Sequence, residues 1–202
     1  MARTILGGVL GGFILLIWGM LAWMILPIHK DTIKYLPNEE AVVASLQSAP
    51  GQGVYYFPAM PKDASDKAAM DAYKERYRRG PMGMVVYDPN GMDPAMTSNI
   101  VVGLLIYILA AFVATWIYQR STALTGTLFQ RLSFFGMIGV FLSLATYFAN
   151  WNWMGYPLGF TTSMALDTIV AWLLAGWGIT LVVKPSKTAV VVERAGKSGL
   201  TA

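Results

Sequence analysis

The chain has 202 residues, 55% of them hydrophobic and only 13% charged, with a formal net charge of +4. A soluble domain carries about 25% charged residues, so this composition excludes an ordinary water-facing surface. It contains no cysteine, which excludes a disulfide framework, a thiolate metal site and a cysteine nucleophile.

The first element is an apolar run from Ile5 to Leu26. A hydrocarbon core about 30 Å thick takes roughly 20 helical residues to cross, so residues 1–27 read as a first transmembrane helix. Arg3 precedes the run as in a secretory signal. The run is longer than a signal core, however, and Trp23 to Pro27 offers no small-residue cleavage site, so a retained anchor is expected. Gly7, Gly8, Gly11 and Gly12 form overlapping small-xxx-small pairs, and Gly19 extends the stripe. Such a stripe lets another helix approach closely, either within the bundle or on a partner subunit.

Residues 28–99 carry eight basic and nine acidic side chains and form a separate segment. Asn38 is placed to cap a helix over 39–47, with Glu39 and Glu40 in the first turn where the helix dipole favours acids. Pro50 to Gly53 breaks the chain, and Val54-Tyr55-Tyr56-Phe57 is a β-branched and aromatic run closed by Pro58. A second helix is predicted from Asp63 or Ser65 to Arg79, with Met70, Tyr73 and Tyr77 on one face, before Gly80-Pro81. Met84 to Tyr87 reads as a second strand. The order helix-strand-helix-strand defines a small α/β domain inserted between the first and second spans. Two strands make a thin core, so the domain is expected to pack on the bundle ends or on another protein.

Three further apolar runs follow, giving predicted spans over 100–118, 132–149 and 164–183, and a tail over 184–202. The fold class is therefore an α-helical integral membrane protein with four transmembrane helices and an inserted extracytoplasmic domain. Arg3, Arg120, Arg131, Lys184, Lys187, Arg194 and Lys197 all fall on one side of that topology, and the 150–163 connection carries no Lys or Arg. By the positive-inside rule both termini are expected in the cytoplasm and 28–99 outside. The basic residues next to spans are explained by orientation, so no nucleic-acid partner is expected.

Asp167 is the only acid in any span, predicted about one turn inside the fourth helix. An intramembrane carboxylate marks a partner or a pathway. His29, the single histidine, and Lys30 end the first span and are the candidate partners. Asn150, Asn152 and Tyr156, in a loop with Trp151 and Trp153, complete a candidate polar pocket on the outer face, or else an interfacial aromatic anchor. No nucleotide, hydrolase or zinc-protease motif is present, and the 12 methionines are scattered along the chain without the spacing of a soft-metal site. No catalytic residue, metal or cofactor is expected.

Leu36-Pro37-Asn38-Glu39, Gly53 to Pro58, Gly80 to Gly83, and Asn150 to Trp153 with Gly155 and Pro157 together resemble a group of small bacterial four-helix inner-membrane proteins with one periplasmic domain. The resemblance implies that architecture and a bacterial inner membrane, and carries no activity. On these grounds the expected function is a non-enzymatic accessory or scaffold subunit. It would contact lipid and dock on a larger membrane complex through the glycine-lined helix and the outer domain. A small transporter or ligand-binding protein with a pocket floored by Asp167 is the alternative.

Overall fold

The structure, a computed structural model, describes residues 1–184; the predicted tail, apart from Lys184, lies outside the described residues. Four helical runs are long and apolar enough to cross a membrane: Ala2–Met24, Thr97–Tyr118, Leu128–Met154 and Leu158–Val182. The first is helix α1, which leads through a 3-10 turn, Pro27–His29, into the inserted segment. There follow α2 (Glu39–Leu46), β1 (Gly53–Phe57), α3 (Lys67–Arg79) and β2 (Gly83–Tyr87), in the order predicted. Then come α4 (Thr97–Tyr118), α5 (Leu128–Leu142), a π-helical stretch (Ser143–Phe148), α6 (Ala149–Met154) and α7 (Leu158–Val182).

Local chemistry explains most boundaries. Asp66 caps α3 by accepting from the Ala69 amide at 3.0 Å, and Gly80 ends the helix at φ +70°, where a Cβ is disfavoured. Ser65 donates to Asp63 from both hydroxyl and amide, which holds the Asp63 carboxyl below its ordinary range. Asn38 precedes α2 as expected but makes no side-chain cap. Thr127 and Gln130 form a reciprocal capping box that starts α5 at Leu128, four residues before the predicted span.

The expected 150–163 loop is not a loop. Asn150 to Met154 continue the helix, and α7 already begins at Leu158, leaving Gly155-Tyr156-Pro157 as the turn. Continuing the helix satisfies the backbone N–H and C=O groups of these residues internally. Gly155 in the left-handed region (φ +70°) stops one helix, and Pro157 precedes the next.

The helices form a row, α4–α1–α7–α5, in which α1 packs on α4 and α7, and α7 on α1 and α5. With no hydrophobic drive between helices in lipid, close backbone approach has to supply the contact. A Cβ at Gly12 would lie 2.7 Å from the Ile108 Cα, and one at Gly8 3.0 Å from the Phe112 Cα. Gly7 and Gly11 face Thr115 and Ala111 on the same helix, and also Val183 and Ile179. Four of the five glycines in the stripe are thus occupied inside the chain; Gly19 meets nothing within 4 Å. Gly139 and Gly176 do the same for the α5–α7 contact, against Ile169 and Phe135. Ser143, fully buried, donates to both Gly139 O (2.7 Å) and Ala165 O (3.2 Å), joining the start of the π stretch to α7. Tyr118 packs on Phe134 and Phe135, linking the end of α4 to α5.

Arg3 donates to Lys184 O at 3.0 Å, and Thr4 to Gln119 at 2.9 Å. The start of α1 and the ends of α4 and α7 therefore share one end of the row, and the inserted domain meets the other. In that domain β1 and β2 are antiparallel, with Gly53 opposite Tyr87 and Phe57 opposite Gly83. From Lys30 to Ile100 no residue is fully buried.

Candidate functional site

Asp167 is placed by α7, nine residues after that helix begins, so it lies roughly 13 Å along the axis at 1.5 Å per residue. That is deeper in its helix than the single turn expected, because α7 starts at Leu158 rather than at 164. The packing of α7 on α1 and on the 3-10 turn brings it against one partner from each. Trp18 Nε1 donates to Asp167 Oδ1 at 2.5 Å, and His29 Nε2 lies 3.2 Å from Oδ2. The side chains of His29 and Asp167 are 5% and 12% exposed, so the pair is withdrawn from solvent.

An ionised carboxylate only accepts, and the His29 tautomer that carries its proton on Nε2 matches it. The imidazole stacks flat on Trp23, with centroids 4.1 Å apart and planes at 16°, and its buried Nδ1 has no hydrogen-bond partner. Thr32 Oγ1 donates to the His29 carbonyl at 2.9 Å, closing the chain over the turn. Beside Asp167, Thr168 donates to the Tyr147 hydroxyl at 3.4 Å, a polar contact between α7 and the π stretch.

The other predicted members do not join this cluster. Lys30 is exposed and forms no ion pair among the described residues. Asn150 and Asn152 lie on α6 and make no side-chain hydrogen bond to Asp167, and Tyr156 packs edge-on against Phe160 at 5.6 Å. Trp18 and Trp23 were not anticipated. An indole N–H inside an apolar helix requires an acceptor, and Asp167 is the only carboxylate in any span, so the Trp18 contact had a readable signal. The Trp23 stack depends on the 3-10 turn folding His29 back, and had none.

Two clefts open at this end of the molecule, and Asp167 lines neither. One is a broad groove of about 690 Å³ between the Pro27–Lys34 segment and the start of α7, bordered by Asp31, Thr32, Lys34, Phe160 and Ser163. The other, about 320 Å³, lies between the inserted domain and α6. Among the described residues no three His, Asp or Glu side chains converge. With both carboxylate oxygens occupied, the Asp167 cluster acts as a polar strut that locks α1, the 3-10 turn and α7 together.

The fold is therefore one of four helices long and apolar enough to cross a membrane, set in a row, with a small helix-strand-helix-strand unit inserted after the first. Comparison with protein-family models, with curated proteins and with solved structures finds no match.

Proposed function

We propose that the chain is a non-enzymatic accessory subunit that docks on a larger membrane assembly, and that the inserted domain is its docking element. The observation that carries this reading is the absence of a fully buried residue anywhere between Lys30 and Ile100. Lipid covers the apolar faces of the four helices, but it does not reach a domain that stands beyond them. On that domain Val54 and Val86, directly paired across the strands, are 55% and 75% exposed. A two-stranded sheet with helices is marginal in water, and exposed contiguous apolar surface marks an interaction site. A second polypeptide lying on this face would supply the missing core.

The glycine stripe contributes less to docking than its sequence suggests, since Gly7, Gly8, Gly11 and Gly12 are filled by α4 and α7. The transporter alternative has weaker support, because both oxygens of Asp167 are hydrogen-bonded and the carboxylate lines neither cleft. The charge asymmetry favours a membrane such as the bacterial inner membrane, with both termini cytoplasmic and the domain outside. Gentle extraction from the native membrane followed by intact-particle mass determination tests the reading. A second polypeptide at fixed ratio to the 22.1 kDa chain is the expected result. A clean monomer in detergent or nanodisc would refute it.

A further inference from the structure

The smaller cleft lies between α6 and an inserted domain that has no fully buried residue of its own. Its walls are Tyr56 and Phe57 from β1, Tyr73 and Tyr77 from α3, and Trp153 from α6, and its remaining side chains include Met60, Met82 and Met154. These three methionines come from chain positions far apart: the loop after β1, the residue before β2, and the last residue of α6. No carboxylate, imidazole or amine lines the cleft. We propose that it is a binding site for a soft monovalent metal ion of the Cu(I) class, held by the thioethers of Met60, Met82 and Met154.

The donor set selects the ion. Thioethers bind soft ions, whereas Mg²⁺, Ca²⁺ and Mn²⁺ require oxygen ligands, and Zn²⁺ is bound by thiolate, imidazole or carboxylate, none of which lines the cleft. The chain has no cysteine, so methionine sulfur is the softest donor it can offer. One of the three sulfurs is also held by a hydrogen bond. Tyr56 donates its phenol to Met154 Sδ at 3.3 Å, which fixes that thioether and leaves its second lone pair for a metal. The Met82 methyl reaches within 3.5 Å of where a Gly155 Cβ would lie, so Met82 and Met154 flank the same turn. Met60 is 62% exposed and Met82 43%, which gives an ion a route from solvent and leaves both side chains free to close on it. Methionine has three rotatable bonds and a flexible reach, which suits it to closing on an ion from three separate segments. The rings of Trp153 and the tyrosines add a cation–π contribution suited to a single positive charge.

The full chain in detergent, titrated with Ag(I) as a redox-stable probe for Cu(I), tests the site by calorimetry and by quenching of tryptophan fluorescence. The expected result is one ion per chain, with no comparable binding of Zn(II). Substituting Met60→Leu, Met82→Leu and Met154→Leu together should abolish the binding, because leucine matches methionine in volume but offers no donor. Met154→Leu alone should weaken it about tenfold, the scale of one lost ligand contact of roughly 1.4 kcal/mol; this variant decides the matter if the triple variant does not fold. Met92→Leu with Met96→Leu, outside the cleft, should leave binding unchanged. Silver affinity that persists in the triple variant, or no stoichiometric silver binding by the native chain, would overturn the proposal.

Discussion

The Asp167 strut makes a quantitative prediction that separates a buried charge interaction from ordinary packing. His29→Leu removes the donor to Oδ2 and leaves a carboxylate that is 12% exposed with only Trp18 to satisfy it. Removing one partner of a buried pair costs about 3–5 kcal/mol, and the residual exposure puts this case near the lower limit. Asp167→Asn keeps an oxygen for Trp18 and loses the charge, for about 1 kcal/mol, the scale of one hydrogen bond. In that neutral background, His29→Leu strands only an uncharged amide, at about 1–2 kcal/mol. The cycle therefore predicts a coupling of about 1–2 kcal/mol between positions 29 and 167, well above the 0.3–0.5 kcal/mol expected for independent sites. Reversible unfolding in mixed micelles with increasing SDS, followed by circular dichroism, measures all four proteins. If His29→Leu costs the same in both backgrounds, the carboxylate is not a charge dependent on His29, and the strut argument is wrong.

The glycine stripe supplies an internal contrast. Gly12→Ala places a methyl 2.5 Å from Ile108 Cγ1 and 2.7 Å from the Ile108 backbone, and should destabilise the bundle by about 1–3 kcal/mol. Gly19→Ala meets nothing within 4 Å and should be neutral or stabilising by up to about 1 kcal/mol, measured in the same unfolding assay. Ser143→Ala removes the hydroxyl shared by the Gly139 and Ala165 carbonyls, and a loss of about 1–2 kcal/mol is expected. Val54→Asp with Val86→Lys should leave helix-bundle stability intact while abolishing copurification of the partner, since both side chains are exposed on the free domain face. The isolated 28–99 fragment should show no cooperative thermal transition as a monomer; a sharp one would mean that the domain needs no cover.

What the sequence determined by itself is local. Run length and hydropathy identify four spans, because crossing hydrocarbon is a constraint on each segment alone. Turn chemistry at Pro50 to Gly53 and at Gly80-Pro81, together with the short periodic runs between them, sets the helix-strand-helix-strand order. Even the choice of Asp167 and His29 follows from their rarity in the spans. The extent of the third and fourth helices escaped this reading. The aromatic and Asn-rich residues 150–154 resemble an interfacial loop in composition, while the backbone's demand for hydrogen bonds carries the helix through them to Gly155.

Tertiary structure decided which distant residues meet. The glycine face of α1 is as fit for a partner subunit as for α4 until the row of helices assigns it inward. Trp18 and Asp167 stand 149 positions apart, and their contact exists only because α7 packs beside α1. The methionines read as scattered for the same reason: spacing along a chain reports a site only when its ligands share one element. Met60, Met82 and Met154 come from three segments, and the inserted domain must rest on the end of α6 before they line one cleft.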